Sequence, residues 1–225
     1  MNTHAPSHRN ILVNSSMFCM LNDRQLDDIA DNTTCLHLDR KTMIIDQGAL
    51  AEGSFWVVYG QVQIGVHNQQ GGEKTVEILG QSTCFGLGEM WLGQPHLAFA
   101  RTTADSMLLH TKREAMLRAA HENIDFANVL MSCVGRQLYG LLRDIGSYAQ
   151  KARQRLAGYL LRQRGHQGRD AIELVANKTL IASRLSLTPE TLSRLLHDFS
   201  DEGLIAIAGR RIDLIDCARL ATLSS

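Results

Sequence analysis

Ile181-Ala182-Ser183-Arg184-Leu185-Ser186-Leu187-Thr188-Pro189-Glu190-Thr191-Leu192-Ser193-Arg194-Leu195-Leu196 reads as two short helices joined by a tight turn. Asn177 can cap a first helix over Lys178 to Arg184, with Leu180 and Ile181 pointing inward, and Leu185-Ser186-Leu187 supplies the connection. Thr188 stands as N-cap of the second helix, with Pro189 at its first position and Glu190 in its first turn. Proline is pre-organised for that position, and a carboxylate is favoured at the positive end of a helix. Leu192, Leu195, Leu196 and Phe199 then form an apolar stripe, which leaves Glu190, Thr191, Ser193, Arg194 and His197 on or near the opposite side. Such side chains can read the major groove of double-stranded DNA: Arg reaches O6 and N7 of guanine, Glu accepts from N4 of cytosine, and Ser contacts a neighbouring pair. The spacing predicts Glu190, Ser193 and Arg194 as base contacts.

Downstream, Gly203 ends the helix, and Leu204 to Ala208, Gly209-Arg210 and Arg211 to Ile215 spell a hairpin with two cations at its tip. This is the pattern of a wing lying over the phosphate backbone. Lys178, Arg184, Thr188, Thr191, Arg210 and Arg211 are the expected backbone contacts, although each cation can equally be solvated surface charge. Upstream lie a basic helix from Lys151 to Arg164, a loop at Gly165 to Gly168, and an alternating strand from Ala171 to Ala176.

Between Asn123 and Ala149 the period is helical, and Met131, Val134, Leu138, Leu141, Ile145 and Tyr148 recur at spacings of three and four. That is a coiled-coil seam, better explained by a twin helix across a two-fold axis than by packing within one chain. Gly135, Gly140 and Gly146 weaken this helix, by about 1 kcal/mol each relative to Ala. They suit either a helix that shifts between states or close helix packing.

Before the seam the pattern is β. A short helix over Asn22 to Asp31 is followed by period-two pieces at Met43 to Ile45, Phe55 to Tyr59, Val62 to Val66 and Thr75 to Leu79, punctuated by glycines. Short, evenly spaced strands predict a small barrel or roll. The fold class is therefore α+β, in three parts: a β-roll sensor over 1–122, a dimerisation helix over 123–150, and a winged helix-turn-helix over 151–225.

Composition agrees with this division. The 225 residues carry no formal net charge. Residues 1–152 hold 12 Lys and Arg against 15 Asp and Glu, whereas 153–225 hold 11 against 8, so the excess of cations sits at the DNA-reading end. There is no apolar run of membrane-spanning length and no secretory signal, so no membrane partner and a cytoplasmic location are expected. Five scattered cysteines without a C-x-x-C pair suit reduced thiols.

From Asp46-Gln47-Gly48-Ala49 through Phe55-Trp56-Val57-Val58-Tyr59-Gly60-Gln61-Val62-Gln63-Ile64, the chain resembles the cyclic-nucleotide-binding β-roll. With Ile181 to Leu196 it resembles the CRP/FNR superfamily of bacterial regulators along nearly its whole length. E-x-x-S-R at Glu190 to Arg194 is similar to the FNR branch, and the resemblance implies an inverted repeat of the TTGAT-N4-ATCAA type. Glu190 and Arg194 would take its C·G pair and Ser193 the outer T·A pair. Two half-sites roughly 34 Å apart require a homodimer. RNA polymerase is the further partner the family implies.

The resemblance also bears on the effector. Cyclic-AMP receptors carry a Glu and an Arg-Ser pair in the phosphate cassette, where this chain has Gly86 and His96-Leu97. On the long helix Leu141-Leu142 stand where those receptors carry Thr-Ser, so cyclic AMP is not expected. Only Cys19 falls in the first 30 residues, too few for the N-terminal iron–sulfur cluster of FNR. The remaining similarity is to nitric-oxide-responsive regulators of the Dnr type, for which the family implies haem. His96, His37, Cys84, Cys133 and Met131 are the axial candidates, and Cys84, Phe85, Gly86, Met90, His96 and Leu97 the expected effector pocket. The metal site is otherwise unassigned. Two rivals stand beside this reading. One is a regulator with no small effector, or one controlled by thiol oxidation at Cys84 or Cys133. The other is a cupin-type metal enzyme using Cys35, His37 and Asp39, which lacks the multi-strand ligand set such chemistry needs.

Overall fold

A computed structural model describes residues 8–68, 71–147, 150–168, 170–174 and 176–224. The chain divides into two compact units, residues 1–140 and 141–225, with the boundary inside the long helix.

In the first unit, α1 (His8–Val13) and α2 (Asp23–Asp31) precede β1 (Thr33–Leu38), β2 (Met43–Ile45), β3 (Gly53–Tyr59), β4 (Val62–His67), β5 (Glu73–Leu79) and β6 (Cys84–Phe85). Then come α3 (Leu87–Leu92), β7 (Phe99–Thr102), β8 (Ser106–Lys112), α4 (Arg113–Glu122) and the start of α5 (Ile124–Ser147). The strands form two antiparallel sheets, β1-β8-β3-β6 and β2-β7-β4-β5. Asn22 caps α2 as expected, its Oδ1 accepting from the Gln25 N–H at 3.0 Å while Gln25 Oε1 accepts from the Asn22 N–H at 3.2 Å.

Successive residues of a strand face opposite ways, and the first sheet uses both faces. Phe55, Val57, Phe85 and Leu108 pack between the sheets with Val62 and Leu79, where the Phe55 and Phe85 rings stack at 5.0 Å. Trp56, Cys84 and Leu109 face the other way, into a helical layer with Phe18, Leu26, Met116, Phe126 and Leu130. Two-sided burial explains why Phe55 to Val58 is a continuous apolar run instead of an alternating one. Each such side chain contributes roughly 1.5–3 kcal/mol by leaving water. At Gly60, φ is +93° and a Cβ would stand 2.2 Å from Ser106 Oγ, so only glycine makes the turn from β3 to β4.

Asn123 starts α5, its Oδ1 accepting from the Phe126 N–H at 3.0 Å. One side of the helix, Phe126, Leu130 and Cys133, is buried in the helical layer. Another leaves Met131 at 70 %, Leu138 at 56 % and Ile145 at 61 % exposure, with Leu141 and Leu142 also exposed. Val134 departs from the expected seam, because it packs partly against the helical layer. Tyr148 lies outside the described residues. A Cβ at Gly135, Gly140 or Gly146 would meet nothing within 4 Å, so close packing inside the chain does not require these glycines.

The second unit holds the end of α5, then α6 (Ala152–Gln167), β9 (Ala171–Glu173), α7 (Lys178–Arg184), α8 (Pro189–Asp201), β10 (Ile205–Ala208), β11 (Arg211–Leu214) and α9 (Cys217–Ser224). The strands form an antiparallel sheet in the order β10-β11-β9. β9 stops at Glu173, before the expected Ala176, yet Leu174 and Ala176 are still buried. Leu156, Leu160, Ile181, Leu192, Leu196, Phe199 and Leu220 are buried here.

Candidate nucleic-acid interface

The two helices form as their caps direct. Asn177 Oδ1 accepts from the Leu180 N–H at 2.9 Å, and Thr188 Oγ1 accepts from the Thr191 N–H at 3.2 Å. Ile181 and Ala182 are the buried pair of α7, while Leu180, expected inside, is only half-buried. In the connection, Ser186 takes φ +55°, a left-handed conformation uncommon for a residue with a side chain. Its neighbours hold it: the Leu187 N–H donates to Ala182 O at 2.9 Å, and Arg155 from α6 donates through Nε to Leu185 O at 2.8 Å. The same guanidinium donates to Gln150 O at 2.7 Å, so Arg155 ties the turn to the start of α6. Sequence reading missed this residue, because its role depends on a contact 30 positions away.

On α8, Leu192, Leu195, Leu196 and Phe199 are buried, and Glu190, Ser193, Arg194 and His197 are exposed together on the other side, with Thr191 half-buried. The Glu190 carboxyl is held below the usual range by its own N–H and by Thr188, so it is a carboxylate able to accept. Arg153 braces the far end of the helix, its Nη2 2.8 Å from Glu202 and its guanidinium over the Phe199 ring at 5.0 Å.

The expected backbone-contacting cations fall into different surroundings. Lys178 is exposed at the start of α7. Arg184 is half-buried, with Nη2 3.0 Å from Asp144 Oδ2 on α5, so it is engaged within the protein instead of being held out for phosphate. In the hairpin, Gly209 makes the turn at φ +64°. Arg210 folds back to donate to Leu174 O at 3.0 and 3.2 Å, and Arg211 pairs with Asp213 at 2.8 Å.

In the roll, the expected effector residues do not line one space. Cys84 and Met90 belong to the helical layer, whereas Phe85 lies between the sheets. Leu97 is 77 % exposed. Gly86 and His96 do meet: Gly86 has φ +76°, and a Cβ there would lie 3.3 Å from the buried His96 ring. The His96 backbone is tied at both ends, accepting from the Gly48 N–H and donating to Ala49 O, each at 2.8 Å. Burial holds its imidazole below the ordinary pKa, with Glu89 opposing. Cys35 and His37 of β1 lie 4.0 Å apart, and among the described residues no group of three or more His, Cys, Asp or Glu could hold a metal ion.

Residues 35–123 match the model of the cyclic nucleotide-binding domain, and residues 154–223 match that of the Crp-like helix-turn-helix domain. The chain belongs to the CRP/FNR family of transcription regulators. Among relatives, this regulator is 28 % identical to the global nitrogen regulator of Synechococcus elongatus over 191 residues, 81 % of this chain and 86 % of that protein. In structure it is similar to FixK2 from Bradyrhizobium japonicum, with TM-score 0.78 and 23 % identity over 86 % of this chain and 98 % of that one. It is also similar to DNR from Pseudomonas aeruginosa, with TM-score 0.51 and 28 % identity over 99 % of this chain and 100 % of that one. The family is one of DNA-binding regulators, not enzymes, which sets the cupin-type reading aside. No helix among the described residues is long and apolar enough to cross a membrane.

Proposed function

We propose that the regulator binds an inverted repeat of the TTGAT-N4-ATCAA type as a homodimer in the cytoplasm, and that an effector bound in the roll sets the arrangement of its α5 helices. The observation that carries the DNA reading is the composition of one helix face: a carboxylate, a hydroxyl and a guanidinium at Glu190, Ser193 and Arg194, exposed opposite a fully buried stripe. Lys178 at the start of α7, with Thr188 and Thr191 at the start of α8, supplies the backbone contacts. The exposed Met131, Leu138, Leu141 and Ile145 supply the dimer contact, since a stripe of that spacing buries its apolar surface against a twin. Activation through RNA polymerase is the output such a dimer would have.

The effector reading is narrower than the resemblance suggests. Gly86 and the buried His96 ring stand where a cyclic phosphate would need a carboxylate and an Arg-Ser pair, and the imidazole is held toward its neutral form, which disfavours cyclic AMP. For haem the five candidate ligands do not converge. His37 and Met131 are exposed on different elements, Cys84 and Cys133 are buried together in the helical layer, and His96 is buried against Gly86. These residues do not fit one haem iron in this arrangement, and the nitric-oxide reading gains no step from them.

The test is fluorescence anisotropy at one fixed salt concentration with a duplex carrying the inverted repeat and one with both half-sites scrambled. Tighter binding to the first by 1,000-fold or more, on the order expected for a specific site, supports the reading. Equal binding would overturn it.

A further inference from the structure

Cys84 on β6 and Cys133 on α5 are both buried in the helical layer of the first unit, where each thiol is a neighbour of the other. Arg136, one turn along α5, brings Nη2 to 3.2 Å from Cys133 Sγ. Gln137 donates from Nε2 to the Cys84 carbonyl at 2.7 Å, so strand and helix are pinned beside the sulfur pair. All five cysteines are free thiols. Cys133 is 8 % exposed, and its exposed neighbour Arg136 marks the edge from which solvent reaches it.

We propose that Cys84 and Cys133 are a hydroperoxide-reactive pair, in which a Cys133 thiolate held by Arg136 attacks and Cys84 resolves it into a disulfide between β6 and α5. The neighbouring Cys84 thiol and the Arg136 guanidinium lower the pKa of the Cys133 thiol, although burial opposes them. Cys84 is pushed up by the Cys133 sulfur beside it and by burial, so it keeps its proton. The division of labour follows from Arg136, whose Nη2 stands 3.2 Å from the Cys133 sulfur.

In the first step the Cys133 thiolate attacks one oxygen of the hydroperoxide. The O–O bond breaks, sulfur loses two electrons, and the departing oxygen takes a proton from water, leaving a sulfenic acid. The Cys84 sulfur then attacks the Cys133 sulfur. Its proton goes to the leaving oxygen, which departs as water, and the S–S bond is formed. A covalent tie at position 133 would fix the rotation of α5 against β6. Its effect on DNA binding rests on the dimer helix proposed above, whereas the chemistry of the pair does not.

The experiment treats the reduced full-length protein with hydrogen peroxide and follows it by intact mass and peptide mapping. The expected product has lost two hydrogens and yields a Cys84–Cys133 linked peptide before the exposed Cys19 is oxidised. Cys84→Ser should stop at a Cys133 sulfenic acid that dimedone traps. Arg136→Ala should slow iodoacetamide alkylation of Cys133 at pH 7 by about tenfold, because the thiolate loses its cation. Oxidation of Cys19 with Cys84 and Cys133 left reduced, or an unchanged alkylation rate in Arg136→Ala, would overturn the proposal. Operator affinity of the oxidised wild type against peroxide-treated Cys84→Ser separates the two readings. A linked peptide with no operator binding in the reduced protein counts against the proposed function and leaves the pair standing.

Discussion

The guanidinium of Arg184 sits 3.0 Å from the carboxylate of Asp144, so the last residue of α7 is anchored to α5 within the second unit. Arg162 of α6 approaches the other oxygen of Asp144 at 3.8 Å. One half-buried carboxylate therefore serves two cations and joins the helix-turn-helix to the helix that carries the exposed stripe.

Asp144→Asn should lower the stability of the second unit by about 1.5–3 kcal/mol, the range for hydrogen bonds to charged groups. Urea denaturation followed by circular dichroism measures it. Arg184→Ala should behave similarly, and the double variant should cost less than the sum of the two, because both remove one interaction. If Arg184→Ala left stability unchanged but reduced the salt dependence of DNA binding, Arg184 would be a phosphate contact after all.

Arg194→Ala should cost about 1–3 kcal/mol on a duplex carrying the TTGAT repeat, with discrimination lost at the guanine. A competition assay with single-base variants reads this directly. The same loss on scrambled DNA would make Arg194 a backbone contact.

Arg155→Ala removes the charged donor that holds Leu185 O and Gln150 O, leaving Ser186 in a left-handed conformation with less support. The expected result is a fall in stability of about 1.5–3 kcal/mol and weaker binding to the repeat and to scrambled DNA alike. A purely base-specific loss would place Arg155 at the DNA instead.

Leu138→Asp puts a charge on the exposed stripe of α5 without touching the buried Phe126, Leu130 and Cys133. Sedimentation should then give a monomer, with unchanged far-ultraviolet circular dichroism and lost binding to the full inverted repeat. A dimer of unaltered DNA affinity would place the contact elsewhere.

Acid should destabilise the first unit. His96 and His110 both titrate below the ordinary 6.5, chiefly because burial penalises their charged forms; the His110 ring stacks on Phe55 at 4.5 Å. The unfolded chain thus binds protons that the folded chain refuses. The contribution to stability is complete above pH 6.5 and is lost as pH falls through the lowered folded values. Thermal unfolding between pH 7.5 and pH 5 checks this prediction, and His110→Gln should flatten the dependence.

Residues 177–199 carried their own instructions. Asn177 and Thr188 cap over three residues, Pro189 suits only the first turn, and leucines at helical spacing choose the buried face, so both helices and the exposed Glu190, Ser193 and Arg194 followed from local chemistry. The period-two runs of the roll were legible for the same reason, as was the apolar stripe of α5. Tertiary structure decided everything that joins distant residues: Arg184 with Asp144, Gly86 with His96, Cys84 with Cys133, and Val134 with the helical layer. Local periodicity says that a side chain will be buried or exposed. It carries no record of which partner 40 or 50 positions away the fold brings to meet it, and such pairings engage Arg184 with Asp144 and divide the expected effector residues between two cores.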